Sequence, residues 1–73
     1  MGLSKQEAVS LLIEAANVGV DVDIRKGAIA GLGYAGGHDA RGTLAAIAVN
    51  LSARADLRAA ALAALGMASQ RDF

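Results

Sequence analysis

Asp23-Ile24-Arg25-Lys26-Gly27-Ala28-Ile29-Ala30-Gly31-Leu32-Gly33 returns as Asp56-Leu57-Arg58-Ala59-Ala60-Ala61-Leu62-Ala63-Ala64-Leu65-Gly66, 56 − 23 = 33 residues further on. Self-similarity at a fixed period of about 20–50 residues marks a chain of stacked supersecondary units, each burying an apolar face against its neighbour. Such folds supply binding surface and stiffness more often than catalytic groups. The copying also extends upstream. At the same offset Ser10 falls on Thr43, Leu11 on Leu44, Ala15 on Ala48, Asn17 on Asn50 and Val18 on Leu51. Each unit therefore contains a second helical segment. Two units, at about 3–36 and 37–70, fill one domain spanning 1–73.

Hydrophobic residues make up 55% of the chain and aromatic ones only 3%, namely Tyr34 and Phe73, so alanine and glycine do most of the filling. Small side chains let helix axes approach closely and leave a thin core resting on a few large aliphatics. The expected set is Leu11, Leu12, Ile13, Ile29, Leu32, Leu44, Ile47, Leu62 and Leu65.

Seven basic residues balance seven acidic ones, with no cluster of five or more like charges. That distribution offers no footprint for phosphate backbones or anionic lipid, so neither nucleic acid nor membrane is an expected partner. The absence of cysteine excludes disulfides, zinc-thiolate sites and thiol catalysis and is compatible with a reducing compartment. No apolar run approaches the roughly 18 residues of a membrane span, and the N-terminus lacks the blocks of a secretion signal. The expected location is the cytoplasm.

Caps and periodicity predict four helices. The first opens at Ser4 with Glu7 three residues on, a capping box flanked by Leu3 and Ala8 as a hydrophobic staple, and runs to about Ala16 with Asn17 and Gly19 as stops. The second takes Asp23 as N-cap and carries Ile24, Ala28, Gly31, Leu32 and Ala35 on one stripe, ending at Gly36-Gly37. Asp39 caps the third, which carries Leu44, Ile47, Ala48 and Leu51 and stops near Asn50. The fourth starts at Asp56 and repeats the stripe of the second through Leu57, Ala61, Ala64, Leu65 and Ala68. Short connections and the absence of proline make consecutive helices antiparallel neighbours.

An aspartate, an arginine two residues on, a run of small residues, and then Gly31-Leu32-Gly33 or Ala64-Leu65-Gly66 together resemble the second helix of the HEAT-like repeat of phycobilisome lyases. The resemblance covers nearly the whole chain and implies an all-α fold, an α-α superhelix of two antiparallel helix pairs. The chain departs from the pattern in a slightly long unit, in lacking proline before the aspartate, and in having only two units. Roughly three units are normally needed to cover the apolar faces of such an array. The first helix also has apolar residues on more than one side, including Val9 and Ile13. Two expectations follow: the chain belongs to a longer array, or it stacks as a homo-oligomer through exposed repeat ends.

Asp23 and Asp56 sit where a carboxylate accepts from free helix-start amides. The resemblance implies a further role, with Arg25 and Arg58 of one unit pointing at the aspartate of its neighbour to form an inter-repeat ladder of charge-assisted bonds.

Gly31, Gly33 and Gly36 match the spacing of a dinucleotide-binding loop and follow an alternating run from Val18 to Asp23. In a nucleotide site, however, the glycines precede a helix, and here they fall within and after one. The second unit places Ala64, Gly66 and Ser69 at the same positions, as packing sites would. His38, the only imidazole, stands beside Asp39 in the inter-unit loop without the partners a base or metal ligand needs. Glu7 and Glu14 form a solvated face. No catalytic residue, cofactor or metal is expected.

In stacked helix pairs the second helices line the concave side. Away from the buried stripe these carry Lys26, Ala30 and Tyr34 in one unit and Ala59, Ala63 and Met67 in the other, and Tyr34 and Met67 are equivalent. An aromatic ring and a thioether among alanines suit a partner helix or peptide. The expected role is a protein–protein interaction or scaffold module without catalysis. The resemblance allows alternatives: an accessory or lyase-type domain acting on a phycobiliprotein bilin, which would shift a tetrapyrrole's absorption, or a fragment of a larger solenoid or enzyme subunit.

Overall fold

The computed structural model describes residues 2–70; Met1 and residues 71–73, among them Phe73 and the ends of the expected 1–73 domain, lie outside it. Four helices follow in order: α1 (Lys5–Val18), α2 (Val22–Ala35), α3 (Gly37–Val49) and α4 (Ala55–Ser69). Among the described residues there is no strand, and the alternating run from Val18 to Asp23 is the end of α1, a short turn and the start of α2. The all-α fold class is the one expected.

Local chemistry sets most helix ends, at positions shifted from several of those expected. Ser4 caps α1 as expected: Glu7 N donates to Ser4 Oγ at 3.1 Å while Ser4 N donates to Glu7 Oε1 at 2.9 Å. The helix continues past Asn17 to Val18 and stops at Gly19. The N-cap of α2 is Asp21, not Asp23. Its Oδ1 accepts from Asp23 N at 2.8 Å and Ile24 N at 3.1 Å, which turns Asp23 into a first-turn residue. For α3 the expected cap Asp39 is already the third helical residue, and His38 is in the first turn, not in a loop. Asp56 likewise lies inside α4, whose N-cap position is Arg54.

Gly36 alone separates α2 from α3. It closes the first helix by donating its N–H to Leu32 O, and its φ of 68° lies in the left-handed region that a side chain disfavours. Longer turns join the helices within each unit, residues 19–21 between α1 and α2 and 50–54 between α3 and α4. In the second of these, Asn50 Oδ1 accepts from Ser52 N at 3.0 Å, an Asx turn that organises the loop.

The two arginines reveal the register of the first helices. Arg25 Nε donates to Ala16 O at 2.9 Å and Arg58 Nε to Ala48 O at 3.0 Å. The second helices repeat at 33 residues, but these carbonyls are 48 − 16 = 32 apart, because the turn within the second unit is longer. The alignment of α1 on α3 therefore shifts by one: Leu12, not Leu11, is the counterpart of Leu44. Burial agrees, since Leu44 is fully buried, Leu12 is partly buried and Leu11 is exposed.

The core is as thin as the composition implies. Of its twelve buried apolar residues seven are alanines, and the large members are Ile29, Leu32, Leu44, Ile47 and Leu57. Leu12, Ile13 and Leu65 pack partly buried against it. Leu11 and Leu62, expected inside, are exposed, and so is Ile24 of the expected α2 stripe. Each hairpin packs on itself, and α2 lies closely along α4 while α1 and α3 barely meet.

Candidate functional site

The line along which α2 meets α4 forms an open groove of about 270 Å³. Lys26, Ala30 and Tyr34 recur every four residues and bring one edge of α2 to it. Ala60, Ala63, Ala64 and Met67 come from α4. Five of the six residues expected on the concave side therefore stand around one groove. Ala59 does not line it and faces solvent on another side of α4.

The floor is made of small residues because the two helices approach closely beneath it. Ala64 is buried, and a Cβ added to Gly33 would stand 3.0 Å from the Ala64 Cβ. Ala60 and Ala64 are the lining residues missing from the sequence expectation. They correspond to Gly27 and Gly31 of the first unit, so a shared preference for small residues at these two positions is the signal that marks them. Tyr34 and Met67 form the rim; Tyr34 is 62% exposed and Met67 37%.

One end of the groove is charged, with two cations sharing one carboxylate. Lys26 Nζ lies 3.0 Å from Asp56 Oδ2, a salt bridge between the two units. Arg54 approaches the same carboxylate with Nε at 3.1 Å from Oδ1 and Nη2 at 3.2 Å from Oδ2, and Leu57 N donates to Oδ1 at 2.9 Å. The bond from Lys26, with a smaller contribution from Arg54, holds the Asp56 carboxyl below the usual carboxylate range.

The arginine–aspartate ladder implied by the resemblance takes a different form. Arg25 and Arg58 turn back onto carbonyls at the end of the preceding helix in their own unit, where they satisfy acceptors left free by the helix terminus. Lys26 supplies the cation that crosses to Asp56. Asp23 meets the side chain of Asp21 through its backbone amide.

A second, more polar cleft of about 340 Å³ lies between the start of α1 and the start of α3, with Gly36, His38 and Asp39 on its wall. Gly31 and Gly33 lie within α2 and pack on Leu12 and Ala64, so neither takes part in a loop before a helix. Among the described residues no three potential metal-ligating side chains stand together, and no helix is long and apolar enough to cross a membrane. No family model matches the chain, and no curated protein or solved structure shows significant similarity to it.

Proposed function

We propose that this chain is a two-unit HEAT-like interaction module whose α2–α4 groove receives an apolar helix of a partner protein. The observation that supports this most directly is the meeting of Tyr34 and Met67. They are equivalent residues of successive units, 67 − 34 = 33 apart, yet both stand at the mouth of one alanine-floored groove. Small floor residues allow a helix backbone to come close. Tyr34 offers a flat apolar face with a hydroxyl at its tip, and Met67 offers a side chain that adapts to what it meets.

Electrostatics plays a minor part in the proposed recognition. Lys26 is already paired with Asp56, and the whole chain is neutral, so binding rests on shape and apolar contact. The partner class is protein, not nucleic acid or lipid, the compartment is the cytoplasm, and the module contributes no chemistry of its own.

A titration with an amphipathic helical peptide of about 15 residues, bearing leucine at i, i+3 and i+7, tests this by nuclear magnetic resonance. Amide and methyl shifts should concentrate at Ala30, Tyr34, Ala63 and Met67. The double variant Tyr34→Ala, Met67→Lys should weaken binding about tenfold or more, as loss of central apolar anchors does. Absence of shifts at saturating peptide, or shifts confined to other faces, would overturn the proposal.

A further inference from the structure

Equivalent residues of α2 and α4 meet opposite fates, and the difference follows from which side of each helix the other unit covers. Lys26, Ile29 and Gly33 form the side of α2 that looks toward α4: Lys26 pairs with Asp56, Gly33 abuts Ala64, and Ile29 between them is completely buried. Their counterparts on α4 are Ala59, Leu62 and Gly66. That side is open: Leu62 is 58% exposed, and a Cβ built on Gly66 would meet nothing within 4 Å.

The opposite side shows the converse. Leu57, Ala60 and Ala64 are the side of α4 that looks back toward α2, and Leu57 and Ala64 are buried. Their counterparts on α2 are Ile24, Gly27 and Gly31. Ile24 is 60% exposed and a Cβ on Gly27 would again meet nothing within 4 Å, whereas Gly31 is covered by Leu12 of α1, whose Cδ2 would stand 2.9 Å from an added Cβ. The chain thus uses a two-sided contact once internally and leaves Ile24 with Gly27 uncovered on α2 and Leu62 with Gly66 uncovered on α4.

We propose that a second copy of this chain occupies the open side of α4, with Ile24 and Gly27 of one copy seated on Ala59, Leu62 and Gly66 of the next, continuing the α2–α4 packing across the molecular boundary. At the boundary Leu62 takes the place of Ile29 and Ile24 that of Leu57, with Gly27 and Gly66 as the small residues that let the helices come together. The ion pair has no counterpart, because Ala59 and Asp23 stand where Lys26 and Asp56 do; the junction is apolar and persists in high salt. The two halves differ, so the contact is head-to-tail and its products are rings or filaments, not a two-fold dimer. The inference shares the two-unit framework of the groove proposal but uses the ends of the molecule, so either can fail while the other stands.

Sedimentation of the full chain from about 10 μM to about 1 mM, the range suited to a small contact that must offset the cost of association, tests this together with two blocked variants. The wild-type mass should rise with concentration. Leu62→Glu blocks one half and Ile24→Glu the other; each alone should remain monomeric, and an equimolar mixture should form a 1:1 dimer that grows no further. Gly66→Leu and Gly27→Leu repeat the test with bulk instead of charge, at positions where the isolated fold has free space, and they decide the result should a glutamate variant fail to fold. A wild type that stays monomeric throughout, a single variant that still associates, or a mixture that does not pair would overturn the inference.

Discussion

Gly33 lies so close to Ala64 that a methyl group on it would stand 3.0 Å from the Ala64 Cβ and 3.1 Å from both its Cα and its carbonyl oxygen. Two of these neighbours are backbone atoms and cannot turn aside. Gly33→Ala should therefore destabilise the domain by about 1–2 kcal/mol, the strain of overpacking exceeding the gain in helix propensity. Gly66→Ala, the same change at the equivalent position, meets open space and should stabilise by about 0.5–1 kcal/mol. Urea unfolding of the two variants at low concentration checks the opposite signs.

Leu57 and Leu62 separate an internal repeat from an internal environment. Leu57 is 1% exposed, and its truncation to alanine should cost about 2–5 kcal/mol. A domain of this length has only about 4–11 kcal/mol in total, so the variant should have a greatly lowered melting temperature. Leu62→Ala should change stability by no more than about 0.5 kcal/mol, as is usual for exposed positions. Comparable losses at both sites would contradict the burial described for α4.

Arg25 and Arg58 each close the end of a preceding helix with a bond from Nε. Substituting either by alanine should cost about 1.5–3 kcal/mol, the magnitude of a hydrogen bond from a charged donor. Lysine should not restore the loss, because its single terminal ammonium lacks the planar group that puts a donor at Nε. Denaturant midpoints of the alanine and lysine variants provide the comparison.

Acid should weaken the fold through two carboxylates. Asp56 is held below its ordinary range first by Lys26, and Glu7 first by the backbone amide of Ser4 and then by its hydroxyl. A depressed folded-state value means that the native state binds fewer protons than the unfolded chain, so this stabilisation is complete above the ordinary carboxylate range and is lost as pH falls from there through the lower folded-state value. Glu7 is exposed and Asp56 only half-buried, so the effect is modest, and it is salt-sensitive at Asp56. The Glu7→Gln, Asp56→Asn variant should show a flatter unfolding midpoint between about pH 6 and pH 3 than the parent.

The repeat, the four helices and most of the groove are legible in the sequence because each rests on a local pattern: an acidic residue near each second-helix start, an arginine two positions after Asp23 and Asp56, and small residues at helical spacing. The ends of the helices are less so. Asp21 and Asp23 are both competent caps two residues apart, and the turn length that decides between them is not written in either residue. The shift from 33 to 32 in the first helices arises in the 50–54 turn, and similar alanine-rich stretches fit either alignment. Exposure of Ile24 and Leu62 escapes a comparison of units, because equivalence of sequence assumes neighbours on both sides and each unit has only one. Ala60 and Ala64 escape for a related reason: Ala64 both belongs to the buried stripe and floors the groove.

Gly36 constrains how the length of this chain can vary. With one residue between α2 and α3, an insertion or deletion there would change the angle and spacing at which the second hairpin leaves the first and carry Leu57 and Ala64 off their seats. The five residues of the 50–54 turn can absorb such a change, as their extra length beside 19–21 already illustrates. Growth of the polypeptide is thus confined to the hinge within a hairpin or to the addition of whole hairpins, and the joint between hairpins is fixed in size.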